Sequence, residues 1–133
     1  MMKKKIVIGS SFLILGIITI LLFLRFREEG INITVNNNTP NDIEGLYLTY
    51  SQLDDDIKLP KVLSESNMSL TFEPDVNESN LILYYYDKEG EKQEEYIIGY
   101  FNRGYDAKVN IEINEVEDDG KLILVYEEHI SFF

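Results

Sequence analysis

A chain of 133 residues without a cysteine has no disulfide, no thiol nucleophile and no cysteine-ligated zinc. Its charge is divided: five of the 12 basic residues (Lys3, Lys4, Lys5, Arg25, Arg27) precede Glu28, all 24 acidic residues lie from Glu28 onward, and region 28–133 therefore has 7 basic against 24 acidic groups, a formal −17. That surface repels nucleic-acid phosphates, which excludes DNA and RNA as partners, and it attracts basic proteins, polyamines and divalent cations.

Residues 6–24 contain no charge, and a helix of that length spans about 28 Å, the thickness of a bilayer core. The run is longer than a cleavable signal peptide requires and ends in Leu22-Phe23-Leu24-Arg25-Phe26-Arg27, with no small residues for a peptidase to read. An uncleaved transmembrane signal anchor is expected. Three consecutive lysines before it and an acidic flank after it make the cytoplasm the expected side for the amino terminus, with the remainder outside the cell membrane. The lack of cysteine and the richness in Ile, Lys and Asn suggest a Gram-positive bacterium with an AT-rich genome. The expected organisation is a cytoplasmic tail (1–5), the anchor (6–24), a short linker (25–30) and an acidic extracytoplasmic domain (31–133). A pseudopilin would carry a glutamate early in the hydrophobic stretch, and this chain has none. Leu59-Pro60-Lys61-Val62-Leu63 lacks the Thr-Gly of a sortase signal.

After Gly30 the apolar residues alternate, the pattern of strands with one buried face. Ile31, Ile33 and Val35 mark a first strand, closed by the loop Asn37-Asn38-Thr39-Pro40-Asn41-Asp42. Leu46, Leu48 and Tyr50 mark a second. An extended stretch over 57–63 carries Pro60 and belongs at a sheet edge or bulge. Met68, Leu70 and Phe72 form the next strand. Residues 81–86 (LILYYY) are apolar or aromatic throughout, which suits a central strand; Asp87-Lys88-Glu89-Gly90 turns the chain, and 96–101 (YIIGYF) returns. Val109, Ile111 and Ile113, the turn Glu117-Asp118-Asp119-Gly120, and 122–126 make a final hairpin, with 130–133 as a short edge strand. Seven or eight short strands without a helix between them predict an all-β fold. It resembles, in architecture alone, an immunoglobulin-like or transthyretin-like antiparallel β-sandwich preceded by one transmembrane helix, an open barrel being the alternative.

Seven of the sixteen aromatic residues fall between 84 and 105. Tyr84 and Tyr86 could line a sandwich face that binds a protein or a glycan, although tyrosine also packs cores routinely. Tyr100-Phe101-Asn102-Arg103-Gly104-Tyr105 holds the domain's one arginine between aromatics, the composition of an interaction hot spot, so Tyr100, Phe101, Arg103 and Tyr105 are the first candidates for a binding loop. Acidic runs at Asp54-Asp55-Asp56 and Glu117-Asp118-Asp119 could hold Ca²⁺. Asp75-Val76-Asn77-Glu78-Ser79 begins like an EF-hand loop, but Asn80 and Tyr86 stand where glycine and glutamate belong. His129 is the one histidine, without a nucleophile elbow near it, and pairs among 24 acids carry no information about glycosidase chemistry. No catalytic residue, cofactor or metal is assigned. The expected function is a non-enzymatic module that binds a basic, membrane-proximal protein in an envelope or secretion complex, or as a toxin-immunity protein. The alternative is a domain that binds or senses Ca²⁺ or another envelope ligand.

Overall fold

The computed structural model describes residues 2–25 and 30–130, and within the first helix the side chains of 11–22. Helix α1 runs Met2–Arg25 and contains the uncharged stretch of the sequence. Its described side chains are exposed. Among the described residues no helix is long and apolar enough to cross a membrane. Twelve residues with described side chains make only about 18 Å of helix; in the sequence the uncharged run continues on both sides of them. Of the linker 25–30, residues 26–29 lie outside the described residues, as do 131–133 of the expected last strand.

Eight strands follow: β1 (Ile31–Asn37), β2 (Tyr47–Thr49), β3 (Ile57–Lys58), β4 (Ser66–Phe72), β5 (Glu78–Tyr86), β6 (Lys92–Asn102), β7 (Ala107–Val116) and β8 (Leu122–Ile130). They form two four-stranded sheets, ordered β4-β1-β7-β8 (sheet one) and β3-β2-β5-β6 (sheet two). The expected all-β sandwich is thus observed. Two details differ from expectation. β1 pairs β7 in parallel, with Ile31 opposite Ala107 and Asn37 opposite Ile113, so sheet one is mixed rather than antiparallel. An immunoglobulin arrangement also keeps the first two strands in one sheet, whereas here β1 and β2 lie in opposite sheets. Alternation states which face of a strand is buried and leaves its neighbour unspecified, so neither detail was readable beforehand.

Between the sheets, Ile31, Ile33 and Val35 of β1 meet Val109, Ile111 and Ile113 of β7 in one layer, facing Leu48, Leu81, Leu83, Ile98 and Phe101 of the other, all nearly inaccessible. Pro60 follows β3 at the edge of sheet two, where Leu59 donates to the Leu46 carbonyl at 2.9 Å. Asn37 caps the core as a polar knot: its Nδ2 donates to the carbonyls of Asn41 (2.8 Å) and Val62 (3.0 Å), and its Oδ1 accepts from the N–H (3.0 Å) and hydroxyl (2.7 Å) of Thr39. Gly90, at φ 79°, makes the β5–β6 turn, and the Lys88 N–H donates to the Asp119 carbonyl, so both hairpin tips share one end of the sandwich. Gly30 marks the opposite end, where the chain enters from α1.

Candidate functional site

The loop singled out in the sequence lies at the Gly30 end. There the β6–β7 connection turns tightly, with the Tyr105 N–H donating to the Asn102 carbonyl at 3.2 Å and Gly104 at φ 80°. Asp106 then accepts the Gly30 N–H at 2.6 Å, and the Ala107 N–H returns a bond to the Gly30 carbonyl at 3.1 Å, which clamps the loop onto the start of β1. Gly30 has φ 93° and lies so near Phe72 that a Cβ would stand 2.5 Å from the Phe72 carbonyl oxygen. Only glycine fits both conditions.

These contacts frame a cleft of about 420 Å³. Gly30 and the stretch Glu73, Pro74 and Asp75 form one side, and Arg103, Gly104, Tyr105 and Asp106 the other. Three carboxylates against one guanidinium leave it net acidic. Arg103 Nη2 sits 3.1 Å from Asp75 Oδ1, yet both side chains are largely exposed, so solvent screens the pair and a competing cation can displace it. Tyr105 leans its ring toward Phe101, with centroids 6.3 Å apart, while its hydroxyl donates to Glu128 on β8. Burial, followed by that bond, raises the Tyr105 pKa well above its ordinary value.

The six candidate residues do not form one site. Arg103 and Tyr105 line the cleft. Tyr100 points to a separate shallow hollow with Ser51 and Ser79, and its hydroxyl donates to Glu78 Oε1 at 3.3 Å. Phe101 is fully buried against Tyr50 in an edge-to-face contact, and so is a core residue unable to touch a partner. Tyr84 and Tyr86 belong to the outer face of sheet two, about 20 and 26 Å along β5 from Glu78.

On that outer face the register sets Tyr47 beside Tyr84 and Tyr86 beside Lys92. Tyr47 and Tyr84 stack at 5.1 Å, and Lys92 Nζ lies 4.2 Å over the Tyr84 ring. Tyr84 is therefore only 7% exposed although it sits outside the sandwich. Its hydroxyl donates to Asp56, which pushes its pKa up to about 12, while bonds from Thr49 and Tyr84 hold the Asp56 carboxyl below its usual range. The rings cover one another, which leaves Tyr86 and Tyr96 as the exposed members. Tyr47 was missed in the sequence because it stands 37 residues before Tyr84; the signal was its place between buried Leu46 and Leu48, which turns it outward.

The acidic runs have local roles. Asp56 bonds Tyr84, Asp119 Oδ1 accepts the Lys121 N–H at 3.0 Å within its turn, and Asp75 faces Arg103. Among the described residues no three of His, Asp and Glu gather to hold a metal ion. His129 lies on exposed β8, 3.4 Å from Glu127.

No protein-family model matches this chain, and no curated protein matches it. Among solved structures it is similar to an NMR structure of a protein from Eubacterium rectale, at 14% identity and a TM-score of 0.44, covering 74% of this chain and 88% of that one. So loose a likeness carries no argument about function.

Proposed function

We propose that this protein is a membrane-anchored, extracytoplasmic and non-enzymatic interaction module that binds a basic segment of a membrane-proximal protein. The anchor is α1 through residues 6–24, supported by 19 uncharged residues within one continuous helix, with Lys3, Lys4 and Lys5 on the cytoplasmic side. The domain is a transthyretin-like version of the sandwich, since its first two strands lie in opposite sheets. Such a module suits an envelope or secretion complex, or immunity to an exported toxin.

One observation carries the binding reading: Arg103, Gly104 and Tyr105 form a wall of an acidic cleft whose other side includes Gly30, the residue that leads from the anchor. A lysine or arginine entering the cleft meets Glu73, Asp75 and Asp106 beside an aromatic ring, and the −17 charge around it speeds the encounter. The cleft opens at the anchor end, so the partner is expected near the bilayer.

Membranes holding the full chain test this in a pull-down at about 50 mM and about 500 mM salt, which changes the screening length severalfold. A basic protein retained at low salt, released at high salt and reduced by Glu73→Gln with Asp75→Asn supports the proposal. Recovery indifferent to both salt and these substitutions contradicts it.

A further inference from the structure

The sheet edges of this domain are not alike. β3 is two residues long. β6 bulges twice against β5, at Ile97 and again between Ile98 and Phe101, which interrupts its outer edge. β4 presents Asn67, Ser69 and Thr71 between half-buried Met68, Leu70 and Phe72. β8 differs from all three: it runs nine residues without a bulge of its own, since the irregularity in its pairing falls at Asn114 of β7.

β8 also carries Ile123, Val125, Tyr126 and Ile130, exposed by 43, 54, 42 and 50%. These are half of the large apolar side chains left exposed outside the helix among the described residues. Tyr126 and Ile130 lie opposite Ile111 and Ala107 of β7, which are 0% and 2% exposed. The pairs share one face of the sheet, so the difference comes from the neighbour that β7 has and that, among the described residues, β8 lacks.

We infer that β8 receives an extended segment of the partner protein, added as a fifth strand of sheet one, in which apolar residues alternate with lysines or arginines. This rests on the reading that the partner is basic, and adds where and how it binds. The added backbone would pair with the outer edge of β8, its apolar side chains would cover Tyr126 and Ile130 on one face, and its basic side chains would pass Glu127 on the other. Charge selects the occupant. Glu127 and Glu128 sit mid-edge, so a second copy of this chain would bring the same two carboxylates and another strongly acidic domain, whereas a basic strand meets opposite charges. The cleft is within reach as well, because Tyr105 lines it while bonding Glu128.

The test uses the full chain in mild detergent and a ten-residue peptide alternating lysine and valine, followed by NMR and amide hydrogen exchange. Expected are salt-sensitive binding and slowed exchange across 122–130. Two changes should each weaken binding roughly tenfold or more: N-methylation of two adjacent central peptide residues, which blocks both peptide edges, and Val125→Lys, which adds a like charge beside the incoming strand. Val125→Thr, uncharged and equally suited to a strand, should bind as the parent does and show that the fold tolerates change there. Salt-sensitive binding that perturbs Gly30 and Gly104 but leaves β8 exchange unchanged would overturn strand addition and keep the acidic-cleft reading. Binding that ignores salt, or none, would overturn both.

Discussion

Replacing Phe101 with alanine removes one of the largest fully buried side chains from the core. The ring meets Tyr50 edge to face at 6.0 Å and Tyr105 at 6.3 Å, so two aromatic neighbours lose their contact as the cavity opens. Phenylalanine-to-alanine changes in cores cost about 3–5 kcal/mol, and lost ring pairs push the value toward the upper half, about 4 kcal/mol. That is a large share of the roughly 5–15 kcal/mol that holds a domain together. With a urea slope of about 2 kcal/mol per molar, the unfolding midpoint falls by about 2 M. The full chain in mild detergent gives the readout through its near-ultraviolet circular dichroism, which reports the packed tyrosines. Tyr100→Ala, next door but 59% exposed, should stay within about 0.5 kcal/mol of the parent. A Phe101→Ala loss under about 1 kcal/mol, or a larger loss at Tyr100, would refute the inward placement of this ring.

Gly30→Ala combines a positive φ with a Cβ pressed on the Phe72 carbonyl and should cost about 2–4 kcal/mol, read by the same unfolding curve. Asn37→Ala leaves the Thr39 N–H without its acceptor and takes one of two donors from each of the Val62 and Asn41 carbonyls, which keep the Ile43 N–H and the Thr39 hydroxyl; it should cost about 1–3 kcal/mol, seen by calorimetry as a melting point lowered by roughly 5 °C or more. Alkaline pH should destabilise the fold through its bonded tyrosines. Tyr84 is pushed up to about 12 and Tyr105 is also raised, so the folded state favours the neutral phenols; their contribution is complete below pH 10, and that of Tyr84 is lost as pH rises through about 12. Following phenolate absorbance, Tyr84→Phe should delete a late-titrating group; a titration in which all nine tyrosines ionise together near 10 would contradict the Tyr84–Asp56 bond.

Much of the sandwich follows from period-two alternation. β1, β4 and β7 each turn inward the set that alternation names, because their pairing is regular over those residues. β6 departs from it. Strict alternation over 96–101 would place Ile97 and Ile98 on opposite faces, but bulges at Ile97 and after Ile98 reset the pleat, so Ile97, Ile98 and Phe101 all point inward while Tyr96 and Tyr100 point out. A bulge depends on the partner strand, which one sequence does not specify, and so Phe101 looked like a binding residue. The Arg103–Tyr105 loop was legible from composition alone. Its cleft was not, because Gly30, Glu73 and Asp75 come from chain segments more than 25 residues away.

Exposure of the sandwich to protease on intact cells tests most directly whether the acidic domain is held at the outer surface by α1. A full chain tagged at its amino terminus should lose residues beyond Gly30 when protease is added to intact cells, and leave a short tagged fragment in the membrane. A chain that stays whole until the cells are lysed, or a domain recovered free in the medium, would contradict the anchored and outward placement.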